Sequence, residues 1–286
     1  MARRSLHNKR ALVTGARGGL GRSTSLGWAP WGADLVLVAR RENELATVAD
    51  EVQRLGRKAA AVVGDVTDPE TRRRALAAAL DQLGGLDILV NNAGVSAHGR
   101  FADADPSRLR PIMEVNFFAA VELTREALPL LGEGREPIVV NIGSVLGQRG
   151  CPHKSEYCAS KFALRGFSES LRAELAPRGI DVLVVTAGPT DTQFFEHLIE
   201  THGELPWARL ARPRSQRHDP RDEAWPPRNR PQLARLAPGH RQPLLPPPRR
   251  LGDGEIWLRT TADSCQFGMT RRLPSSLQSP QLTLTK

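Results

Sequence analysis

Tyr157 and Lys161 stand four residues apart in the run Ser155-Glu156-Tyr157-Cys158-Ala159-Ser160-Lys161. On a helix that spacing puts both side chains on one face. A free phenol titrates near ~10, too high for easy proton exchange at neutral pH. A neighbouring ammonium favours the phenolate and lowers that value, and bringing it to ~7 takes roughly 4 kcal/mol. The pair therefore predicts a group that gives and takes a proton at an oxygen atom. Tyr157 is also the only tyrosine of the chain. Taken alone the spacing is weak, because a buried helical aromatic gives the same pattern.

A second group of residues points to phosphate. Thr14-Gly15-Ala16-Arg17-Gly18-Gly19-Leu20-Gly21 follows an apolar run and opens a helical one. Glycine permits a tight turn and close backbone approach. The helix start then offers free N–H groups and partial positive charge to a pyrophosphate. The spacing departs from G-x-G-x-x-G, and a plain strand-to-helix turn is the other reading. The next apolar run ends in Ala39-Arg40-Arg41 with no acid at its tip. In dinucleotide sites an acid there bonds the ribose diol of NAD, and an arginine accepts the extra phosphate of NADP. Arg40 and Arg41, joined by Arg17, are fork-shaped donors suited to that phosphate. Arginines that cap a sheet edge in solvent are the alternative. NADP(H) is the expected cofactor.

These residues need a scaffold. Strand-like runs lie at 11–14, 35–39, 59–63, 88–91, 138–142 and 182–186, with helix-like stretches at 19–28, 42–55, 69–82, 106–131 and 155–176. Several of the strands are apolar throughout, as expected when both faces are covered. Alternation of this kind predicts an α/β fold, a doubly wound parallel sheet of Rossmann type with right-handed crossovers. Asp68-Pro69 reads as a helix start, and Gly84-Gly85 and Gly179 as stops. Pro30 should end the first helix, leaving Trp28 and Trp31 as hydrophobic surface. Ligands in such sheets bind at the carboxyl ends of the strands, where all these motifs fall.

From about residue 8 to 195 the chain resembles the short-chain dehydrogenase/reductase family. The motifs occur in the family's order. They are the T-G-x-x-x-G-x-G loop, Asp65-Val66, Asn91-Asn92-Ala93-Gly94, Asn116, Ser144 and Tyr157-x-x-x-Lys161. The resemblance implies hydride transfer between a nicotinamide and a carbon, with Tyr157 exchanging the matching proton. It implies that Lys161 also holds the nicotinamide ribose, that Ser144 bonds the substrate oxygen, and that Asn116 holds a water of a proton relay. Asp65 and Val66 would lie at the adenine, and Asn92, Ala93 and Gly94 would support the sheet and the cofactor wall. The loop residues Thr14, Gly15, Arg17, Gly19, Leu20 and Gly21 would contact phosphates. Gly188, Thr190 and Thr192 would lie near the carboxamide and pyrophosphate, with Ala187 where the family usually has proline. Residues 193–202 read as a lid helix. His98 and His153 read as solvated loop residues, and Cys158 as packed away from Lys161. No metal is expected, since the three cysteines form no ligand spacing.

Composition adds a boundary. Hydrophobic residues make up 40% and charged residues 25%, ordinary for a globular core. The net charge of +9 is not spread evenly: residues 1–205 carry 25 basic and 25 acidic side chains, and residues 206–286 carry 15 and 6. The second stretch also holds 13 of the 22 prolines and no valine. This predicts a catalytic domain over 1–205 and a basic Pro/Arg-rich tail over 206–286, extended or disordered. The family's substrate-binding helix and seventh strand are not recognisable there; the only strand-like run is at 255–261. A solvated tail, a shifted reading frame near 205–213, and a basic binding arm are three accounts of it. With no regular aromatics or known motif, nucleic-acid binding is not expected. No apolar run approaches the ~20 residues of a membrane span, so a cytoplasmic protein is expected. The functional expectation is an NADP(H)-dependent oxidoreductase interconverting a small-molecule carbonyl and a secondary alcohol. A 3-oxoacyl thioester reductase, or a nucleotide-binding relative without turnover, are the alternatives. A homo-oligomer is possible by resemblance.

Overall fold

The computed structural model describes residues 4–188 and 198–201, and strand segments at 256–257, 259–261, 264–266 and 282–283. Six strands come first: β1 (Arg10–Thr14), β2 (Asp34–Ala39), β3 (Ala59–Val63), β4 (Ile88–Asn91), β5 (Ile138–Ile142) and β6 (Asp181–Thr186). They pair in parallel in the order β3-β2-β1-β4-β5-β6, so the order reverses between β1 and β4. The doubly wound α/β sheet is thus as the sequence predicts.

Both faces of the sheet are covered. Ala11, Val13, Leu35 and Leu37 pack against Trp28 of α1 (Gly19–Trp28) and Leu45, Val48 and Val52 of α2 (Glu42–Arg54). The intervening Leu12, Val36 and Val38 point the other way. They meet Ala75 and Ala79 of α3 (Pro69–Leu83), and the same cluster takes in Leu123, Ala127 and Leu131 of a later helix (Ala119–Gly132). Period-two alternation therefore feeds two cores, which is why the strands read as unbroken apolar runs. Trp28 is core and not surface, at 3% exposure, and Trp31 packs against the same cluster.

Local chemistry sets the element ends. Asp68 caps α3 by accepting from the N–H groups of Glu70 and Thr71 at 3.1 and 3.2 Å, with Pro69 in the first turn. Gly84 closes the helix in the left-handed region at φ 78°. Pro30 sits in a 3₁₀ turn, Ala29–Trp31, which ends α1.

The stretch predicted as one helix over 106–131 is broken. A 3₁₀ turn (Pro106–Arg108) leads into α4 (Leu109–Met113), a π-helical segment (Glu114–Phe118) and α5 (Ala119–Gly132). The extra residue per turn in a π segment rotates the side chains around it, and such segments concentrate at functional sites. Asn116 lies in its middle. After β5 comes α6 (Ser155–Leu175).

The carboxyl-terminal strand segments are short, and two of them lie in the strand-like run at 255–261. β7 (Ile256–Trp257) pairs with β10 (Leu282–Thr283), and β8 (Arg259–Thr261) runs antiparallel to β9 (Ser264–Gln266). β9 in turn pairs in parallel with β6, Val185 opposite Cys265 and Thr186 opposite Gln266. A seventh parallel position is thus filled, by three residues without a valine. A strand edge is a row of backbone donors and acceptors that any extended segment can satisfy, so apolar composition was a poor guide.

Candidate active site

Among the described residues, Thr14, Asn92, Ala93, Gly94 and Ser144 lie at the carboxyl ends of β1, β4 and β5, and Tyr157 and Lys161 on the first two turns of α6. Ser144 lies two residues past the end of β5 and caps the turn Val145–Gly147, its Oγ accepting from the N–H of Leu146 at 3.1 Å. The same side chain is hydrogen-bonded to the hydroxyl of Tyr157. Gly147 makes the approach of that turn to α6 possible. A Cβ there would stand 2.9 Å from the carbonyl oxygen of Lys161. This glycine was not singled out from the sequence, since nothing local marks a contact with a residue fourteen positions on.

Lys161 is buried, at 5% exposure. Its Nζ donates to the carbonyl of Ile142, the last residue of β5, at 2.8 Å. It also stands 5.8 Å from the centre of the Tyr157 ring, within cation–π range. Burial pushes this lysine down to about 8. Burial pushes the Tyr157 phenol up to about 12, with the Ser144 hydrogen bond opposing. This reverses the direction expected from the Tyr157–Lys161 spacing. The lysine's charge is directed to a carbonyl and to the ring face, and desolvation of the phenolate dominates. The resulting pair is a fully protonated phenol beside an ammonium that holds its charge only weakly.

Asn116 uses its whole amide. Its Nδ2 donates to the Val95 carbonyl and to Ser160 Oγ, both at 2.9 Å, and its Oδ1 accepts from the Val95 N–H at 2.8 Å. In this arrangement the side chain clamps the segment after β4 to α6. Gly94 lies between Asn116 and Lys161, a Cβ on it falling 3.3 and 3.7 Å from Oδ1 and Nζ.

The glycine loop is stitched to β4. Thr14 Oγ1 accepts from the N–H groups of Asn92 and Ala93, both at 3.0 Å, and Asn92 Nδ2 donates to the Thr14 carbonyl at 2.8 Å. Gly15 takes φ 66°, and a Cβ on it would lie 2.8 Å from Asn92 Nδ2. The loop's close fit to Asn92 therefore requires glycine at 15. The start of α1 suits an anion. No side chain caps it, no acid lies in its first turn, and a Cβ on Gly18 would meet only open space. The donors of Gly19, Leu20 and Gly21 form that first turn.

At the tip of β2, Arg40 is 62% exposed and stands 3.6 Å from Asp65. Arg17 and Arg41 both bond Glu44, at 2.9 and 3.0 Å. Asp65 also accepts from Thr67, and Val66 is buried beside it. Gly188 has open space at its Cβ position, and Thr190 and Thr192 lie outside the described residues.

Two further differences concern the rim. Of the predicted lid helix over 193–202, residues 193–197 and 202 lie outside the described set, and 198–201 are not helical. Their backbone pairs with the segment after β4, Ile199 N–H to the Ser96 carbonyl and His98 N–H to the Glu200 carbonyl, each 2.9 Å. His98 is buried at 4% exposure and stacks on His153 with ring centres 5.4 Å apart, so only His153 is solvated as expected. Cys158 is buried, as read.

Sequence reasoning also missed the polar layer beneath the site. Asn91 Nδ2 bonds Thr124 Oγ1 and Asn141 Oδ1, and Asn141 Nδ2 bonds Ser168 Oγ, all within 2.8–2.9 Å. Asn91 and Asn141 are register partners on β4 and β5. Two asparagines at equivalent places in otherwise apolar strands were the available signal. Lys154 is likewise buried and donates to the Ala97 carbonyl at 2.9 Å, beside the Arg108–Glu156 ion pair.

Comparison with known proteins agrees with this geometry. The family model for short chain dehydrogenases matches residues 9–203. A hydroxysteroid 11-beta-dehydrogenase 1-like protein of Xenopus tropicalis is 39% identical over 192 residues, 66% of this chain and 67% of that protein. Dehydrogenase/reductase SDR family member 7B of Xenopus tropicalis is 37% identical over 183 residues, 62% of this chain and 59% of that protein. The match thus spans between 59 and 67% of these relatives' own length. A short chain dehydrogenase from Burkholderia cenocepacia, solved in complex with NADP, superposes with a TM-score of 0.62 at 35% identity, covering 67% of this chain and 78% of that one. With most of its length matched by the family model and its motif residues gathered at the strand ends, the chain belongs to the short chain dehydrogenase family of oxidoreductases.

Proposed function

We propose that the protein is an NADP(H)-dependent reductase that interconverts a carbonyl and a secondary alcohol, with Tyr157 as the acid and base. The observation that carries this reading is the Ser144–Tyr157 hydrogen bond with the Lys161 ammonium against the same ring. In the reducing direction Tyr157 donates its proton to the carbonyl oxygen. The phenol, pushed up to about 12, carries this proton at neutral pH, and it becomes a competent acid only as far as the phenolate it leaves is stabilised. Ser144 hydrogen-bonds the same oxygen and polarises it. The charge on Lys161 steadies the phenolate that forms. Asn116 and Ser160 fix the helix turn that carries this pair. When bound, NADP(H) supplies or accepts the hydride. Its phosphates suit the bare start of α1, and its 2′-phosphate suits the arginine group of Arg17, Arg40 and Arg41. By resemblance to the family, Gly188, Thr190 and Thr192 would serve its carboxamide and pyrophosphate. A relative in Nostoc, 35% identical over 184 residues, is named a ketoacyl reductase, which keeps oxoacyl thioesters among the candidate substrates.

Among the described residues no helix is long and apolar enough to cross a membrane, consistent with a cytoplasmic site of action. Phe118 and Phe162 are each 45% exposed on the Asn116 segment and on α6, and would be covered in a homo-oligomer.

The test is NADPH oxidation against a panel of ketones, aldehydes and oxoacyl thioesters, repeated with Tyr157→Phe. Wild type is expected to turn over at least one class. The variant should lose roughly 10²- to 10⁴-fold in rate and keep NADPH affinity. Undiminished turnover in the variant refutes the role of Tyr157. Binding without turnover of any substrate by wild type refutes the catalytic reading.

A further inference from the structure

Two arginines that suit a phosphate are already holding an anion. Arg17 Nη1 donates to Glu44 Oε2 at 2.9 Å, and Arg41 Nη1 donates to Glu44 Oε1 at 3.0 Å. Each carboxylate oxygen thus takes one guanidinium. Arg17 comes from the glycine loop, Arg41 from the N-cap of α2, and Glu44 from the first turn of that helix. The third arginine, Arg40, is turned to Asp65 at 3.6 Å and is largely exposed. A phosphate monoester and a carboxylate seek the same fork-shaped donors. Hydrogen bonding by Arg41, with burial opposing and Arg17 assisting, holds the Glu44 carboxyl below the usual carboxylate range, so it is ionised at neutral pH.

We infer that Glu44 is a specificity-determining residue, an internal carboxylate that competes with the 2′-phosphate of NADP(H) for Arg17 and Arg41. The inference rests on the dinucleotide reading above. A phosphate entering this corner takes donors from Glu44. The displaced carboxylate stays on the same helix turn and repels the incoming charge. The ribose diol of NAD(H) is neutral there and has no need to break the clasp. Glu44 therefore narrows the margin by which the arginines favour the phosphorylated cofactor. Exposed ion pairs are individually weak, so the effect is a graded one and not a switch.

The experiment is direct titration of NADPH and NADH, by calorimetry, into wild type, Glu44→Gln and Glu42→Gln. Glu42 lies in the same first turn and removes the same charge, but it holds neither arginine. For Glu44→Gln the expected result is NADPH binding roughly three- to tenfold tighter, with NADH within about twofold of wild type. The Glu42→Gln ratio should stay within about twofold of wild type, and the Glu44→Gln gain should shrink in high salt. A purely structural role for Glu44, pinning the loop to α2, would instead weaken both cofactors together. An unchanged or reduced NADPH preference in Glu44→Gln overturns the proposal alone, as does an equal gain in Glu42→Gln. Failure of wild type to bind either dinucleotide overturns the dinucleotide reading, and this proposal falls with it.

Discussion

Lys161 shows what the proposed chemistry demands of a single side chain. Its ammonium is buried, and its pKa falls to about 8 because the charged form is poorly solvated there. In an unfolded chain a lysine titrates near ~10.4. Between these two values the unfolded state binds more protons, so this residue's contribution to stability rises with pH. Below pH 8 it is a net cost on the order of 3 kcal/mol, partly offset by the bond to the Ile142 carbonyl, worth about 1 kcal/mol. Lys161→Met is therefore expected to be inactive yet more stable at pH 7, by roughly 1–2 kcal/mol. That advantage should vanish as pH rises from 8 toward 10.5. Urea denaturation of both proteins at pH 7 and pH 10 checks it, and a variant less stable at pH 7 refutes it. The sequence made Tyr157 and Lys161 legible as a pair, because four residues on a helix is a geometric statement. It did not reveal the direction of the tyrosine shift. That direction depends on how deeply the ring lies and on where Nζ points, neither of which spacing contains.

At the scale of elements, the strands were legible and the interruptions were not. Residues 35–39 announce themselves by an unbroken apolar run, and 138–142 by one interrupted only at Asn141, and the two-sided core explains why. Nothing in the composition of Glu114–Phe118 marks its π turn, from which Asn116 reaches the Val95 backbone. The far ends of the strands hold a second device that composition concealed. Asp87, just before β4, is fully buried and accepts from the Arg10 side chain and from the N–H groups of Arg10 and Arg135. It ties β1 to β4 and to the approach to β5. Burial alone would raise its pKa. The Arg10 hydrogen bonds, then those from the Arg135 and Arg10 backbone, outweigh burial and hold the carboxyl down at about 2. A depressed carboxyl contributes stability that is whole above about pH 4 and is lost as pH falls toward 2. That contribution is on the order of 2–3 kcal/mol at neutral pH. Asp87→Asn should lose at least this much at pH 7, and its remaining stability should fall less steeply than that of wild type between pH 4 and 2. Thermal melts across that interval decide the matter. Parallel acid limbs for the two proteins would refute the assignment. The catalytic end of the sheet lies away from Asp87, so cofactor affinity in the folded variant should be unchanged.

The whole molecule turns on how the sheet is closed beyond β6. Val182 to Val185 are all less than a tenth exposed, so β6 is built as an interior strand. Its outer edge is met by β9, whose residues 264–266 come from the stretch that carries the whole net charge of +9. Composition marked that stretch as foreign to the body, because charge and proline report solubility and backbone stiffness. Neither reports whether three residues can pair with an open edge. The body needs such a partner more than it needs particular side chains there, since an uncovered apolar edge invites pairing with other chains. Deleting residues 254–286 should therefore cost roughly 1–3 kcal/mol, from two lost register pairs at about 1 kcal/mol per hydrogen bond. It should also make the protein associate in a concentration-dependent way. The glycine loop, the β2 tip and the Tyr157–Lys161 pair lie on other elements, so NADPH affinity of the soluble fraction should hold within about threefold. Denaturation midpoints and light scattering across a concentration series measure the two effects. A truncated chain that is as stable as wild type and monodisperse would show that β6 tolerates an open edge and that the tail strands are dispensable to the fold.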